Sequence, residues 1–171
     1  TNGSEYKPRN ALEFAPQFDT QGSSTGIRRA NLHGKLAGNY WCVPDPIDMT
    51  LPPGEWEVVI RRGTEHVPII DTFTVTEGET IEKTYRPERW VDMRKSGWYS
   101  GDDHIHFQML SDVDTRQVMT WIQAEDVRLG NILKMGDMNR TWFEQRGFGP
   151  EHRVQEDGYI LVPGQECPRT H

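Results

Sequence analysis

The hydrophobic pattern of this 171-residue chain changes near residue 90, and that change limits what the chain can fold into. Before it, short segments such as Trp56 to Ile60 alternate apolar and polar residues, with turn residues between them. Alternation of period two places one face of a strand inside. Residues 26–89 are therefore predicted to form a small antiparallel β-sandwich. Residues 1–25 are polar and are expected to form a loosely ordered arm. The predicted sandwich core comprises Trp56, Val58, Ile60, Val67, Phe73, Val75 and Ile81.

After residue 90 a helical stripe replaces the alternation. Apolar residues recur at helical spacing from Val118 to Leu129. Asp114 is expected to cap this helix at its start, and Gly130 is expected to end it. The stripe by itself indicates core packing.

Extended segments flank the predicted helix. One covers residues 97–107, and two more cover 131–137 and 158–166, separated by a polar, aromatic stretch at 141–154. The order strand, helix, strand, insertion, strand predicts an α/β unit with parallel strands over residues 90–171. In such units binding sites form at the carboxyl ends of the strands.

Composition excludes two classes of partner. The net charge is −7, and no run of Lys or Arg is present, so we expect no nucleic-acid partner. No segment approaches the roughly 18 consecutive apolar residues of a membrane helix.

The sequence starts at Thr1 without an initiator Met or a signal peptide, which leaves localisation unknown and only slightly favours a secreted or periplasmic protein. Cys42 and Cys167 fit no metal or disulfide pattern and are predicted to be unpaired.

The residues with the clearest chemical meaning are His104 and His106. Side chains two apart on a strand point to the same face, so the two imidazoles are expected to lie together, with Asp102 on the same side. Imidazole and carboxylate are ligands of zinc, manganese and iron. The alternative is a surface strand with incidental histidines.

Two acidic residues favour the metal interpretation. Asp137 and Glu166 each end a predicted strand, and the two histidines lie in another. Three strands that bring such side chains to one rim predict a metal site with His104, His106 and Glu166 as ligands, and with Asp137 as a ligand or a water-orienting catalytic residue.

These motifs resemble those of a known family. Gly97 to Asp102 followed by His104-x-His106, the strand end Gly136-Asp137-Met138-Asn139, and Val162-Pro163-Gly164-Gln165-Glu166 resemble the PHP (polymerase and histidinol phosphatase) metallohydrolases, in particular the carbaryl-hydrolase-like CehA/McbA branch. The resemblance implies a β-sandwich followed by a distorted (β/α)₇ barrel with two or more divalent ions. It implies that His104 and His106 bind metal and that Glu166 bridges metals.

The sequence departs from the family pattern in three respects. Met138 stands where the family has a ligand histidine, and a thioether is a poor ligand for a hard, water-activating ion. Asp103 stands where the family has an apolar residue. Residues 90–171 supply three strands, so the barrel is expected to be incomplete here. The remainder of the same polypeptide, or another chain, is expected to complete it.

The leading hypothesis is a metal-dependent hydrolase that cleaves an ester, carbamate, amide or phosphoester bond of a small molecule. Asp102 is expected to orient a ligating imidazole. The alternative is a non-enzymatic β-sandwich that binds a glycan or protein and carries an inactive or structural metal domain. Tyr40, Trp41 and Trp56 are its candidate sugar-binding aromatics.

Overall fold

The computed structural model describes residues 12–13, 41–43, 46–136 and 141–166. This part of the chain is strand-rich, with three sheets and one α-helix. No helix in it has the length and apolar character needed to cross a membrane. The strands are β1 (Leu12–Glu13), β2 (Trp41–Cys42), β3 (Gly54–Ile60), β4 (Ile69–Val75), β5 (Gly101–Ile105), β6 (Leu129–Gly136), β7 (Thr141–Trp142), β8 (Val154–Glu156) and β9 (Tyr159–Gln165); the helix is α1 (Asp112–Ala124).

The first half contributes an antiparallel hairpin of β3 and β4, in register from Gly54 opposite Val75 to Ile60 opposite Ile69. Its predicted core residues are not buried: Val67 is 46% exposed, Ile81 is 36% exposed, and the other five are half-buried. The prediction of a core there is wrong for the described residues, because two strands alone cannot enclose one. Most of residues 26–45 lie outside the described part, so a complete sandwich stays a prediction.

Residues 81–85, which include the predicted core residue Ile81, pair with no strand in the described residues. Side chains hold this segment to β4 instead: Lys83 Nζ lies 2.6 Å from Asp71 Oδ2, and the Tyr85 hydroxyl donates to the same oxygen at 2.8 Å. Burial and the bond to Asp71 raise the pKa of Tyr85 to about 12. Side-chain bonds, and not backbone pairing in a sheet, therefore hold this segment to the hairpin.

The second half forms the sheet that the sequence predicts. Strands β5, β6 and β9 are parallel neighbours in that order. The outer edge of β9 is partly covered, because β8 pairs with it antiparallel between Val154 and Glu156. The part of the β9 edge that pairs with β8 is thus not open. The predicted insertion at 141–154 contains β7, which pairs with β6, and a short 3₁₀ turn at Pro150–His152.

Helix α1 begins earlier than predicted. Ser111 is its N-cap, and its hydroxyl accepts the backbone N–H of Asp114 at 3.1 Å. Asp114 completes a capping box, because its carboxylate accepts the backbone N–H of Ser111 at 2.8 Å. The helix stops at Glu125, and Asp126 takes a left-handed φ of 51°. Gly130 lies in β6 and not at the helix end.

The core lies between α1 and one face of this sheet. Cys42 of β2 belongs to it, which places a residue from the first half inside the second. Burial, reinforced by the charge of Glu125, raises the pKa of its thiol to about 12. It is a free cysteine, as predicted, and Cys167 lies outside the described residues. The buried core residues are Cys42, Phe107, Met109, Val118, Met119, Trp121, Ile122, Ile132, Tyr159 and Leu161.

Candidate metal centre

The two histidines come together at the carboxyl end of β5. His104 lies in the strand, and His106 follows its last residue, Ile105. The pairing of β5 with β6 is irregular between Asp102 and Ile105. The Nε2 atoms of the two imidazoles lie 3.2 Å apart, with the rings almost perpendicular at 86°.

Glu166 reaches the same place from the end of β9. Its backbone N–H donates to the carbonyl of Lys134 in β6 at 2.8 Å, which continues the parallel ladder one residue beyond the strand. Its Oε2 atom lies 3.0 Å from His106 Nε2 and 3.5 Å from His104 Nε2. The parallel order of the strands therefore brings together all three ligands named from the sequence.

The Glu166 carboxylate has an unusual environment. Its Oε2 atom is inaccessible to solvent and has no hydrogen-bond partner among the described residues. Leaving a buried acceptor unpaired is unfavourable, and native proteins rarely do so without a reason. An atom that carries negative charge and faces two ring nitrogens is satisfied by a cation between them.

The three ligand atoms have the spacing of a metal site. Edges of 3.0, 3.2 and 3.5 Å define a point about 1.9 Å from each atom, close to the metal–ligand distances of about 2.0–2.2 Å that zinc makes with nitrogen and carboxylate oxygen. Two nitrogens and one carboxylate oxygen suit zinc, manganese or iron better than calcium, which prefers oxygen ligands at longer distances. The group of His104, His106 and Glu166 can thus hold a metal ion.

The other nitrogen of His106 helps to orient the ring. Its Nδ1 atom lies 3.4 Å from the backbone carbonyl of Leu133 in β6. A proton on Nδ1 that points to this carbonyl leaves the lone pair on Nε2 free for a metal, the arrangement typical of ligating histidines.

Phe143 is a site residue that the sequence analysis did not identify. Its ring stacks on the His106 imidazole, with centroids 5.1 Å apart and planes inclined by 29°. It follows β7 in the inserted stretch and takes a left-handed φ of 56°. One aromatic residue in a polar, irregular segment carries no periodic signal, so sequence analysis had no reason to select it.

The structure leaves some of the expected site residues untested and gives others contacts away from the three ligands. Asp137 and Met138 lie outside the described residues, so the predicted role of Asp137 and the effect of Met138 stay predictions. The Oδ1 atom of Asp102 accepts the backbone N–H of His104 at 3.0 Å, a bond to the strand and not to an imidazole, so its expected role in orienting a ligating ring stays a prediction. Asp103 is exposed, and its carbonyl lies 3.4 Å from the Asn131 side-chain amide.

The candidate sugar platform is described only at Trp56, because Tyr40 and the Trp41 side chain lie outside the described part. The Trp56 ring is half-buried, and its Nε1–H donates to the Pro52 carbonyl at 3.0 Å. The indole N–H of Trp56 is thus used within the chain, by a carbonyl four residues earlier.

Comparison of the chain with models of known families, with curated proteins and with solved structures found no match.

Proposed function

We propose that this protein is a metal-dependent hydrolase whose ion is held by His104, His106 and Glu166. The observation that carries the proposal is the convergence of their three ligand atoms within 3.5 Å of one another. The buried Oε2 atom of Glu166 supports it, since this oxygen faces both imidazoles and accepts no hydrogen bond among the described residues, and a bound cation would satisfy it.

Accessibility favours a catalytic ion over a structural one. The His104 side chain is 56% exposed and that of Glu166 is 34% exposed, so one side of the ligand triangle faces solvent. Structural zinc sites are closed by four protein ligands, whereas catalytic sites have three and leave a position for water or substrate. Among the described residues the site has three ligands on an accessible rim, which matches the second pattern.

The chemistry follows from the donor set. A divalent ion held by such ligands supplies Lewis-acid chemistry, because it acidifies water and polarises a carbonyl or phosphoryl oxygen. His104 and His106 would bind through Nε2 and Glu166 through its carboxylate. The substrate is proposed to be a small molecule with an ester, carbamate, amide or phosphoester bond. We also propose that the protein belongs to the PHP superfamily. Further residues of the same polypeptide, or another chain, would then complete the barrel.

The test combines metal analysis with hydrolysis by the 171-residue chain. We expect bound zinc, manganese or iron, and metal-dependent cleavage of a nitrophenyl ester or a nitrophenyl phosphoester. His104→Ala with His106→Ala should remove both properties. His152→Ala is the matched control, because this histidine lies beside Glu151 outside the site.

Two results would contradict the proposal. Absence of metal from the wild-type chain would refute the site. One tightly held ion without any turnover would refute the enzyme and support the non-enzymatic alternative.

A further inference from the structure

We propose that Phe143 is a positioning residue that holds the His106 imidazole with Nε2 directed at His104 and Glu166. The inference rests on the proposed metal function and extends it to a residue outside the ligand set. Its starting observation is the stacked contact between the two rings, at 5.1 Å between centroids and 29° between planes.

The backbone of Phe143 is held in an unfavourable conformation. A φ of 56° lies in the left-handed region, which bulky side chains seldom adopt. Such strain persists only where the surrounding structure enforces it, and it concentrates at functional sites. Here it brings an aromatic ring to the face of a candidate ligand.

Contacts on both sides of Phe143 enforce that conformation. On one side Trp142 of β7 pairs with Met135 of β6. On the other side the Gln145 side-chain amide donates to the carbonyls of Phe143 and Phe107, each at 2.8 Å. Because Phe107 directly follows His106, the same amide ties the loop to the chain that carries the ligand.

Two contacts then define the orientation of the imidazole. The Leu133 carbonyl faces Nδ1 at one edge of the ring, and Phe143 covers one face. An imidazole bound to a cation is electron-poor, and the negative face of an aromatic ring attracts positive charge. The stack should therefore favour the metal-bound state as well as the correct ring angle.

Four variants of the 171-residue chain test the inference, with Zn²⁺ as the probe in competition with a chromophoric chelator. Phe143→Ala removes the ring. Phe143→Gly removes the ring and also relieves the positive φ. Phe143→Tyr retains the ring. Phe148→Ala is the control, because Phe148 is an exposed aromatic of the same loop.

We expect Phe143→Ala and Phe143→Gly to raise the Kd for Zn²⁺ equally, by about 10-fold, the lower end of the cost of losing a group that orients a ligand. Phe143→Tyr should restore wild-type affinity, and Phe148→Ala should retain it. The visible spectrum of the Co²⁺-loaded protein should change in the Ala and Gly variants alone. In the metal-free protein the same two variants should lose the ring-current shift of the His106 ring protons.

The possible failures are distinguishable. A wild-type chain that binds no Zn²⁺ refutes the metal site and this inference with it. Wild-type binding together with unchanged affinity in Phe143→Ala refutes the inference alone. A Phe143→Gly variant that binds like wild type while Phe143→Ala does not would assign the effect to the backbone and also refute it. Far-UV circular dichroism and the Tyr variant separate these results from a loss of folding.

Discussion

Arg89 and Asp126 form an ion pair that joins the first half of the chain to the end of α1. Asp126 is only 6% exposed, and two further groups contact its other carboxylate oxygen: the Tyr159 hydroxyl donates at 2.7 Å, and Arg128 Nη2 lies at 3.0 Å. Arg89 also pairs with Glu65 at 2.5 Å. One buried carboxylate is thus satisfied by donors from three separate parts of the fold.

Replacing Asp126 with Asn should destabilise the protein strongly. The variant removes the counter-charge of Arg128 and one of the two carboxylates that pair with Arg89, and breaking a buried pair costs about 3–5 kcal/mol. We expect the lower end of this range, because both arginines retain some exposure. Urea unfolding measures the change. Asp112→Asn is the control: its pair with Arg146 is exposed and should contribute at most about 1 kcal/mol. Equal effects of the two variants would contradict the role of Asp126.

The same carboxylate should make stability depend on acid pH. Burial acts to raise the pKa of Asp126, but the bonds from Tyr159 and Arg89 and the charge of Arg128 outweigh it, so the pKa lies below its ordinary value of 3.8. The unfolded chain then binds a proton more readily than the folded one. The stabilisation is complete well above pH 3.8 and is lost as the pH falls through the lower folded pKa.

The measurement is the difference in unfolding free energy between wild type and Asp126→Asn as the pH is lowered from 7. This difference should shrink as the pH approaches and passes below 3.8. The comparison cancels contributions from the other acidic residues. A constant difference across that window would show that the charge of Asp126 does not contribute in the folded state.

Gly63→Ala should destabilise the contact between the hairpin turn and the helix end. A Cβ atom at Gly63 would lie 2.0 Å from the backbone oxygen of Glu125, and φ there is +56°. Gly78→Ala is a matched control, because Gly78 has a positive φ of +75° and open space around its Cβ position. We expect a backbone cost of about 1 kcal/mol at Gly78 and a total of about 3 kcal/mol or more at Gly63. Equal costs in thermal unfolding would contradict the close approach.

Glu166→Gln should separate metal binding from stability. An amide is a weak ligand, so the affinity for zinc should fall by about 100-fold or more. The stability of the metal-free fold should change by no more than about 1 kcal/mol, since the carboxylate is partly exposed and its buried Oε2 atom accepts no hydrogen bond among the described residues. Glu151→Gln is the control, and isothermal titration with chemical denaturation gives both quantities. A clear loss of metal-free stability would show that the carboxylate has a structural partner.

The sequence predicted the elements that follow regular periodicity. Alternation and strand order were enough to place His104 and His106 beside Glu166, because parallel strands bring their carboxyl ends to one edge. The start of the helix was predicted wrongly because Asp114 resembles an N-cap. Asp114 is instead the N3 residue of a capping box whose N-cap is Ser111. Asp126 ends the helix region with a positive φ that glycine usually provides. Phe143 stacks on His106 across the fold, a tertiary contact that no local pattern encodes.

The burial of Cys42 in the core has a consequence for how the protein melts. A side chain from β2 packs among residues that follow it by 65 or more positions. Removing this side chain would leave a void against α1. Moving α1 away would in turn expose the Cys42 side chain. Unfolding of β2 should therefore expose apolar surface of the second half. The calorimetric and van't Hoff enthalpies should coincide, as they do for a chain that folds as a single cooperative unit.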